Sequence, residues 1–341
     1  MTQDIIKKNR IGYIDIAKGI LICCLLYGHM FLFARKEGIN DSAISYLQKG
    51  IILYAGFFMQ SFFIITGFCS SFNKKFSVFF GSNIKTLLIP AVLLVLFSNY
   101  AIDYFFFHKI SLQPVFNLTS WVAMGAPWFI ITMFVAKLAY WGISRLVTKW
   151  QLVLLVILYL TGIALNILDR FPNYLFHRHI LLMLPYIYVG QYWRNNKEII
   201  AKWLPYIAMF GIVSITFQLI LSQLVSFYYI PTHDFDISIN YTFPIHIINA
   251  ISGTASVLWL SQKIQNNYFL ETMGKGTLLI YLWNGLVNRS IIRLLPYPDG
   301  GGILQQTVFY AGVYLLELGV FYCLVRIIYD SKYLRWIVGK W

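Results

Sequence analysis

Charge is scarce in this chain. Of 341 residues only 12% are Asp, Glu, Lys or Arg, about half the share of a soluble domain. A compact soluble domain of this length lacks the interior to hide a composition that is 59% apolar. Disorder, a collagen-like rod and most soluble enzymes are therefore excluded. Cysteine is scarce as well: Cys23, Cys24, Cys69 and Cys323 all fall in or beside apolar stretches. They read as small core residues, with no structural disulfide expected. The chain has no His-Glu-x-x-His, Cys-x-x-Cys or Gly-x-Ser-x-Gly, which argues against a zinc enzyme or an elbow-type hydrolase, and no metal is expected. It also lacks a tandem repeat of fixed period and any long polar insert, so residues 1–341 read as a single membrane domain.

What the chain has in quantity is long apolar runs and aromatics, with 24 Tyr and 10 Trp suited to anchoring at headgroup level. A membrane crossing needs about 20 mostly apolar residues. Runs of that kind lie at roughly 11–34, 50–72, 86–107, 126–147, 151–168, 177–193, 203–228, 242–262, 276–295 and 306–328. The expected fold is therefore all-α and polytopic, with about ten transmembrane helices. The first run contains Asp15 and Lys18 and has no small-residue cleavage site, so it reads as a retained helix and not a signal peptide.

The formal charge of +14 fits basic loops on one side of a bilayer better than nucleic acid, since no basic run carries a recognisable nucleic-acid module. Alternate loops counted from the N-terminus hold seventeen Lys and Arg, and the other set holds eight. The second set is Arg35, Lys36, Lys49, Lys109, Arg170, Arg178, Arg289 and Arg293. The positive-inside rule then puts both termini in the cytoplasm, and an even number of crossings agrees.

The strongest single signal is in the first run, "YIDIAKGILICCLLYGH". Ionisable groups inside a span are costly and mark function by default. At about 100° per residue, Asp15 and Lys18 are neighbours on one face. From Lys18 to His29 is eleven steps, which brings His29 back to within about 20° of the same face and about 16 Å along the axis. A histidine in such a place suits general-base work near neutral pH. Later spans add His246, Asn249 and Asn284, polar residues that either line a cavity or hydrogen-bond between helices. His177-Arg178-His179 and His233-Asp234-Phe235-Asp236 read as outer loops, the second a solvated one.

These residues resemble a known family, the integral-membrane acyltransferases of the acyltransferase-3 type, and most of all its fucose 4-O-acetylase-like branch. The family signature of the first helix is a basic residue, ten residues and a histidine, here Lys18 and His29. "FFMQSFFIITGF" with Thr66, Gly67 and Phe68, followed by Lys74 and Lys75, resembles its second helix. Lys85 before "TLLIP", "PWFIITMF" around Trp128, "LPYIYVGQYWRNNK" and "MGKGTLLIYLWN" follow in the family's order. Two places depart from the branch: Phe58-Met59-Gln60 stands where it often has His-Met-Pro, and Asn284 where its ninth helix often ends in His. The late glutamates Glu271 and Glu317 have no clear family counterpart.

The resemblance implies transfer of an acetyl or other acyl group from acyl-CoA, a donor substrate and not a resident cofactor, to a hydroxyl of a cell-surface or lipid-linked glycan. It implies that His29 deprotonates the hydroxyl or carries the acyl group itself. Asp15 would orient Lys18, and Lys18, Lys74, Lys75 and Lys85 would meet the phosphates of coenzyme A. Trp128 would stack on substrate, and His246, Asn249 and Asn284 would line the acceptor side. The expected setting is the cytoplasmic (inner) membrane of a bacterium, with lipid bilayer, acyl-CoA and glycan acceptor as partners and a homo-oligomer as a further one. Some relatives carry a soluble esterase-like domain; none follows here before Trp341, so the acceptor is expected to reach the helices directly. The alternative from another class is a transporter or flippase exporting a glycan or small solute. The Lys18-to-His29 spacing and the lack of inverted repeats weigh against it.

Overall fold

A computed structural model describes residues 12–107, 128–168, 177–224 and 243–338. Among them every regular element is helical. The order is α1 (Gly12–Lys36), α2 (Ser42–Leu47), a 3-10 turn (Gln48–Ile51), α3 (Ile52–Ala55), α4 (Phe58–Cys69), α5 (Phe76–Asn83), a π turn (Ile84–Leu88) and α6 (Ile89–Phe107). Then come α7 (Trp128–Ile143), α8 (Thr148–Leu168), α9 (His177–Asn195), α10 (Lys197–Leu224), α11 (Phe243–Ile264), α12 (Tyr268–Lys275), α13 (Thr277–Leu294) and α14 (Ile303–Asp330).

By length and composition, six stretches among the described residues can cross a membrane: Gly12–Lys36, Ser42–Cys69, Phe76–Ser98, Thr148–Leu165, Lys197–Thr216 and Ile303–Asp330. Half of the α1 stretch is buried, against 17% for α10 and 22% for α8. α1 is therefore central, and α8 and α10 turn most of their apolar surface outward. Helices α9, α11 and α13 match expected runs but are more polar, with Gln191 and Arg194, Asn249 and Ser252, and Asn284 and Asn288 respectively. Of these, Asn249, Ser252, Asn284 and Asn288 are buried, so they meet protein where a lipid-facing residue would meet hydrocarbon. The 16 residues of α7 span about 24 Å, short of a hydrocarbon core of about 30 Å.

Three expectations change. The run 50–72 is not one helix: the chain arrives through α2, the 3-10 turn and α3, breaks at Gly56–Phe57 and restarts as α4. Gly253 of α11 leaves the room that the Phe57 ring fills at this break. The run 86–107 begins as a π turn just before Pro90, which has no N–H to continue the ladder behind it. His177-Arg178-His179 is not a loop but the first turn of α9, with His179 buried. His233, Asp234 and Asp236 lie outside the described residues.

Two helix pairs are joined backbone to backbone through reciprocal glycines. A Cβ on Gly19 of α1 would lie 2.7 Å from the carbonyl carbon of Leu270 in α12, and one on Gly274 of α12 would lie 2.6 Å from that of Asp15. Gly67 of α4 meets Ile187 of α9, and Gly190 of α9 meets Ile64 of α4, in the same manner. Small residues permit this approach where lipid gives no hydrophobic drive for association. The short α12 starts on Asn267, whose side chain accepts the Leu270 amide at 2.9 Å.

Candidate functional site

The stripe of α1 points into the bundle. Asp15 is 1% exposed, and the Lys18 ammonium donates to its Oδ1 at 3.1 Å. The Lys18 side chain keeps 24% of its surface, so it pairs with a buried carboxylate and is still reachable from outside the bundle. Gly274 lies against the Asp15 carbonyl, so α12 fixes the depth of this pair.

His29 is on the same face, and its Nδ1 lies 3.1 Å from Asn284 Oδ1. The Asn284 amide has one orientation here, because its Nδ2 donates to the Tyr281 carbonyl at 2.5 Å. The oxygen thus faces His29 and can only accept, so Nδ1 carries the proton. The tautomer assigned by this network leaves the Nε2 lone pair for chemistry. Asn284 is buried, and one turn earlier Tyr281 packs on Phe129 of α7 at 5.4 Å. Phe62 and Phe63 of α4 close on the same Phe129 ring. Trp128 is half-buried beside it, 5.1 Å from the His179 ring.

At the Lys18 end, basic residues from four elements converge. The Cys69 thiol, at the end of α4, lies within electrostatic reach of Lys18, Asp15, Arg194 and Lys137. Lys137 in turn is within reach of Lys74. The turn after α4 is held by its own carbonyls: Arg194 donates to Ser70 at 2.5 Å, and Arg145 to Phe72 and Lys74 at 2.8 and 2.9 Å. Lys75 and Lys85 are exposed, one preceding α5 and the other on the π turn. The stripe therefore has a cationic patch at one end and an oriented imidazole further along.

The model of the acyltransferase domain family of this type matches residues 11–326, from the start of α1 to the last turn of α14. The chain belongs to the acyltransferase-3 family. It is an acyltransferase, and its apolar helices make it a membrane protein. No curated protein and no solved structure matches it.

In this acyltransferase the remaining candidates are distributed unevenly. Asn249 is buried in α11 and accepts from Ser214 of α10, so it joins two helices. Among the described residues its buried Nδ2 has no partner. His246 is in the first turn of α11, and its side chain is outside the described positions. Lys74 joins the cationic patch, as do Lys137 and Arg194, which the sequence reading passed over. For Lys137 the available signal was its isolation, a single cation inside an otherwise apolar α7.

A second residue of α13 was also passed over. Asn288, one turn beyond Asn284, donates to Glu317 Oε2 of α14 at 3.0 Å, and both side chains are fully buried. Among the described residues Asn288 Oδ1 and Glu317 Oε1 have no partner. One face of α13 thus carries two amides in register, the first holding His29 and the second holding a buried carboxyl group. Asn288 begins an Asn-Arg-Ser triplet, and its burial removes it from any modification at the surface.

Proposed function

We propose that the enzyme moves an acetyl or other acyl group from acyl-CoA to a hydroxyl of a cell-surface or lipid-linked glycan. The observation that carries this reading is the orientation of His29: an amide held by a backbone carbonyl fixes Nδ1 as donor, and Nε2 is left as the reactive nitrogen. In the base form of the reaction, Nε2 takes the proton of the acceptor hydroxyl. The oxygen attacks the thioester carbonyl, the carbon–sulfur bond breaks, and the proton passes from Nε2 to the departing thiolate. In the relay form, Nε2 attacks the thioester carbonyl and the carbon–sulfur bond breaks to release the thiolate; the hydroxyl oxygen then attacks the acyl carbon, the bond to Nε2 breaks and the hydroxyl proton passes to the thiolate. Both use the same lone pair.

Lys18, Lys137, Lys74 and Arg194 support a phosphate-rich donor at the opposite end of the stripe, where lysines act as point charges. Trp128, near the aromatic wall by Asn284, supports stacking on the acceptor sugar. Ten crossings, both termini in the cytoplasm and residence in a bacterial inner membrane complete the proposal, with the seventeen-to-eight loop asymmetry as its basis.

The test uses membranes carrying wild type, His29→Ala or Lys18→Ala, with labelled acetyl-CoA and envelope glycans. Wild type is expected to place base-labile label in glycan. His29→Ala should bind donor without turnover, and Lys18→Ala should bind donor weakly. Donor alone, without acceptor, separates the two forms, since only the relay labels the protein. Equal loss of donor binding in both variants sinks this division of labour. No coenzyme A binding at all would favour the transporter.

A further inference from the structure

The polar stripe does not end at His29. Lys36 is seven residues further along α1, within about 20° of the same face and about 10 Å beyond the imidazole. Phe33 stands between them, its ring 5.9 Å from His29 in edge-on contact, and the Lys36 ammonium lies 5.4 Å over that ring. Gly285 of α13 makes room, since a Cβ there would come within 2.9 Å of the Phe33 ring. His29 therefore has a lysine of its own helix face on either side, Lys18 inward and Lys36 outward.

The surroundings of Lys36 are short of available carboxylate. Glu37 is shared by Arg289 and Arg293 of α13, the second at 2.5 Å. Asp41 accepts the Ile44 amide at 2.7 Å and the phenols of Tyr297 and Tyr310 at 2.5 and 2.8 Å. Lys36 is exposed, and among the described residues no carboxylate pairs with it. Glu37 is thus committed to two arginines and Asp41 to an amide and two phenols, which leaves Lys36 facing the mouth. These cations also run against the topology rule. Five of the eight basic residues on the sparsely charged side, Arg35, Lys36, Lys49, Arg289 and Arg293, flank this end of α1 and α13. Holding topology does not account for cations on the side where the rule disfavours them.

We propose that the acceptor is an anionic glycan, and that Lys36 receives its negative group while His29 meets the hydroxyl to be acylated. This rests on the acyl-transfer reading above and adds the charge of the substrate to it. The anion is a phosphate-like group carried either on the sugar chain or on the lipid that bears it.

The experiment compares three acceptors of one sugar sequence: neutral, phosphorylated on a sugar, and joined through phosphate to an alkyl chain. Wild type should favour at least one charged acceptor over the neutral one by about tenfold in kcat/KM, carried by KM, the worth of one charge-assisted contact. The preference should shrink as salt rises. Lys36→Gln should bring the ratio towards one, and Lys36→Arg should keep it. Which charged acceptor wins tells whether sugar or lipid carries the anion. Equal use of all three by wild type, or a ratio unchanged in Lys36→Gln, overturns the inference and leaves acyl transfer standing. Transfer to none of them overturns both.

Discussion

Replacing Gly274 with alanine should disable the Lys18 end of the stripe without touching His29. The added Cβ would lie 2.6 Å from the Asp15 carbonyl carbon and 2.9 Å from the Gly19 nitrogen. Carbon atoms pack at about 3.5 Å or more, and the Asp15 carbonyl oxygen is nearer still, so α1 and α12 must part by more than about 1 Å. Neither obstacle can swing aside, because both are backbone. The reciprocal contact of Gly19 with Leu270 opens with the first, and Asp15 and Lys18 move together relative to α13 and α14. Overpacking of this kind costs about 1–3 kcal/mol of stability. A displacement of about 1 Å at a reacting geometry costs about 10²-fold in rate. Thermal denaturation in detergent and acyl transfer in reconstituted vesicles read the two effects. Gly312→Ala in α14 is the control, since a Cβ there meets nothing within 4 Å. If Gly274→Ala matches Gly312→Ala in both measurements, α12 does not set the depth of the Asp15–Lys18 pair.

Three further outcomes follow from the same structure. Asn284→Leu removes the acceptor that selects the His29 tautomer, and transfer should fall by about 10²-fold or more with donor binding retained. Asn288→Leu and Glu317→Leu should each cost about 1–3 kcal/mol by stranding the other partner, and the double variant less than their sum; strict additivity would mean the two do not interact. Glu37 gives a pH dependence. Burial alone would push its carboxyl up, but the hydrogen bonds and charges of Arg293 and Arg289 outweigh that and hold it below the usual carboxylate range. A lowered folded value means the stabilisation is complete above about pH 4.3 and is lost as pH falls through the folded value. Wild type should lose thermal stability on acidification in that window, and Glu37→Gln should lack that step.

The stripe of α1 was legible because its information is local: one helix, one period, and ionisable residues where hydrocarbon tolerates few. The structure turns that face to α13 and gives His29 the partner Asn284, an intramembrane polar residue already visible in the sequence. Glu317 was not legible, since a lone glutamate in an apolar run declares no partner, and Asn288 is 29 residues away. The eight residues of α12 are too short to stand out among long apolar runs, although Asn267 and Gly276 mark its ends. The break at Gly56–Phe57 was hidden for the opposite reason, since hydropathy continues across it while the backbone does not.

Because Lys18 and His29 share one continuous rod, the interval between them is a fixed gauge, independent of bilayer thickness. On the proposed reading, a donor held by its charged end at Lys18 carries its reactive carbon about 16 Å away to arrive at the imidazole. Shorter activated esters stop below it, and longer ones must fold back. The gauge also has a thread. One residue added between positions 18 and 29 lengthens it by only about 1.5 Å but turns His29 by about 100°, away from Asn284 and towards the side where Cys23, Cys24 and Tyr27 line an apolar cleft. If Lys18 holds the donor as proposed, donor selection is a matter of counting residues as well as of which residues they are.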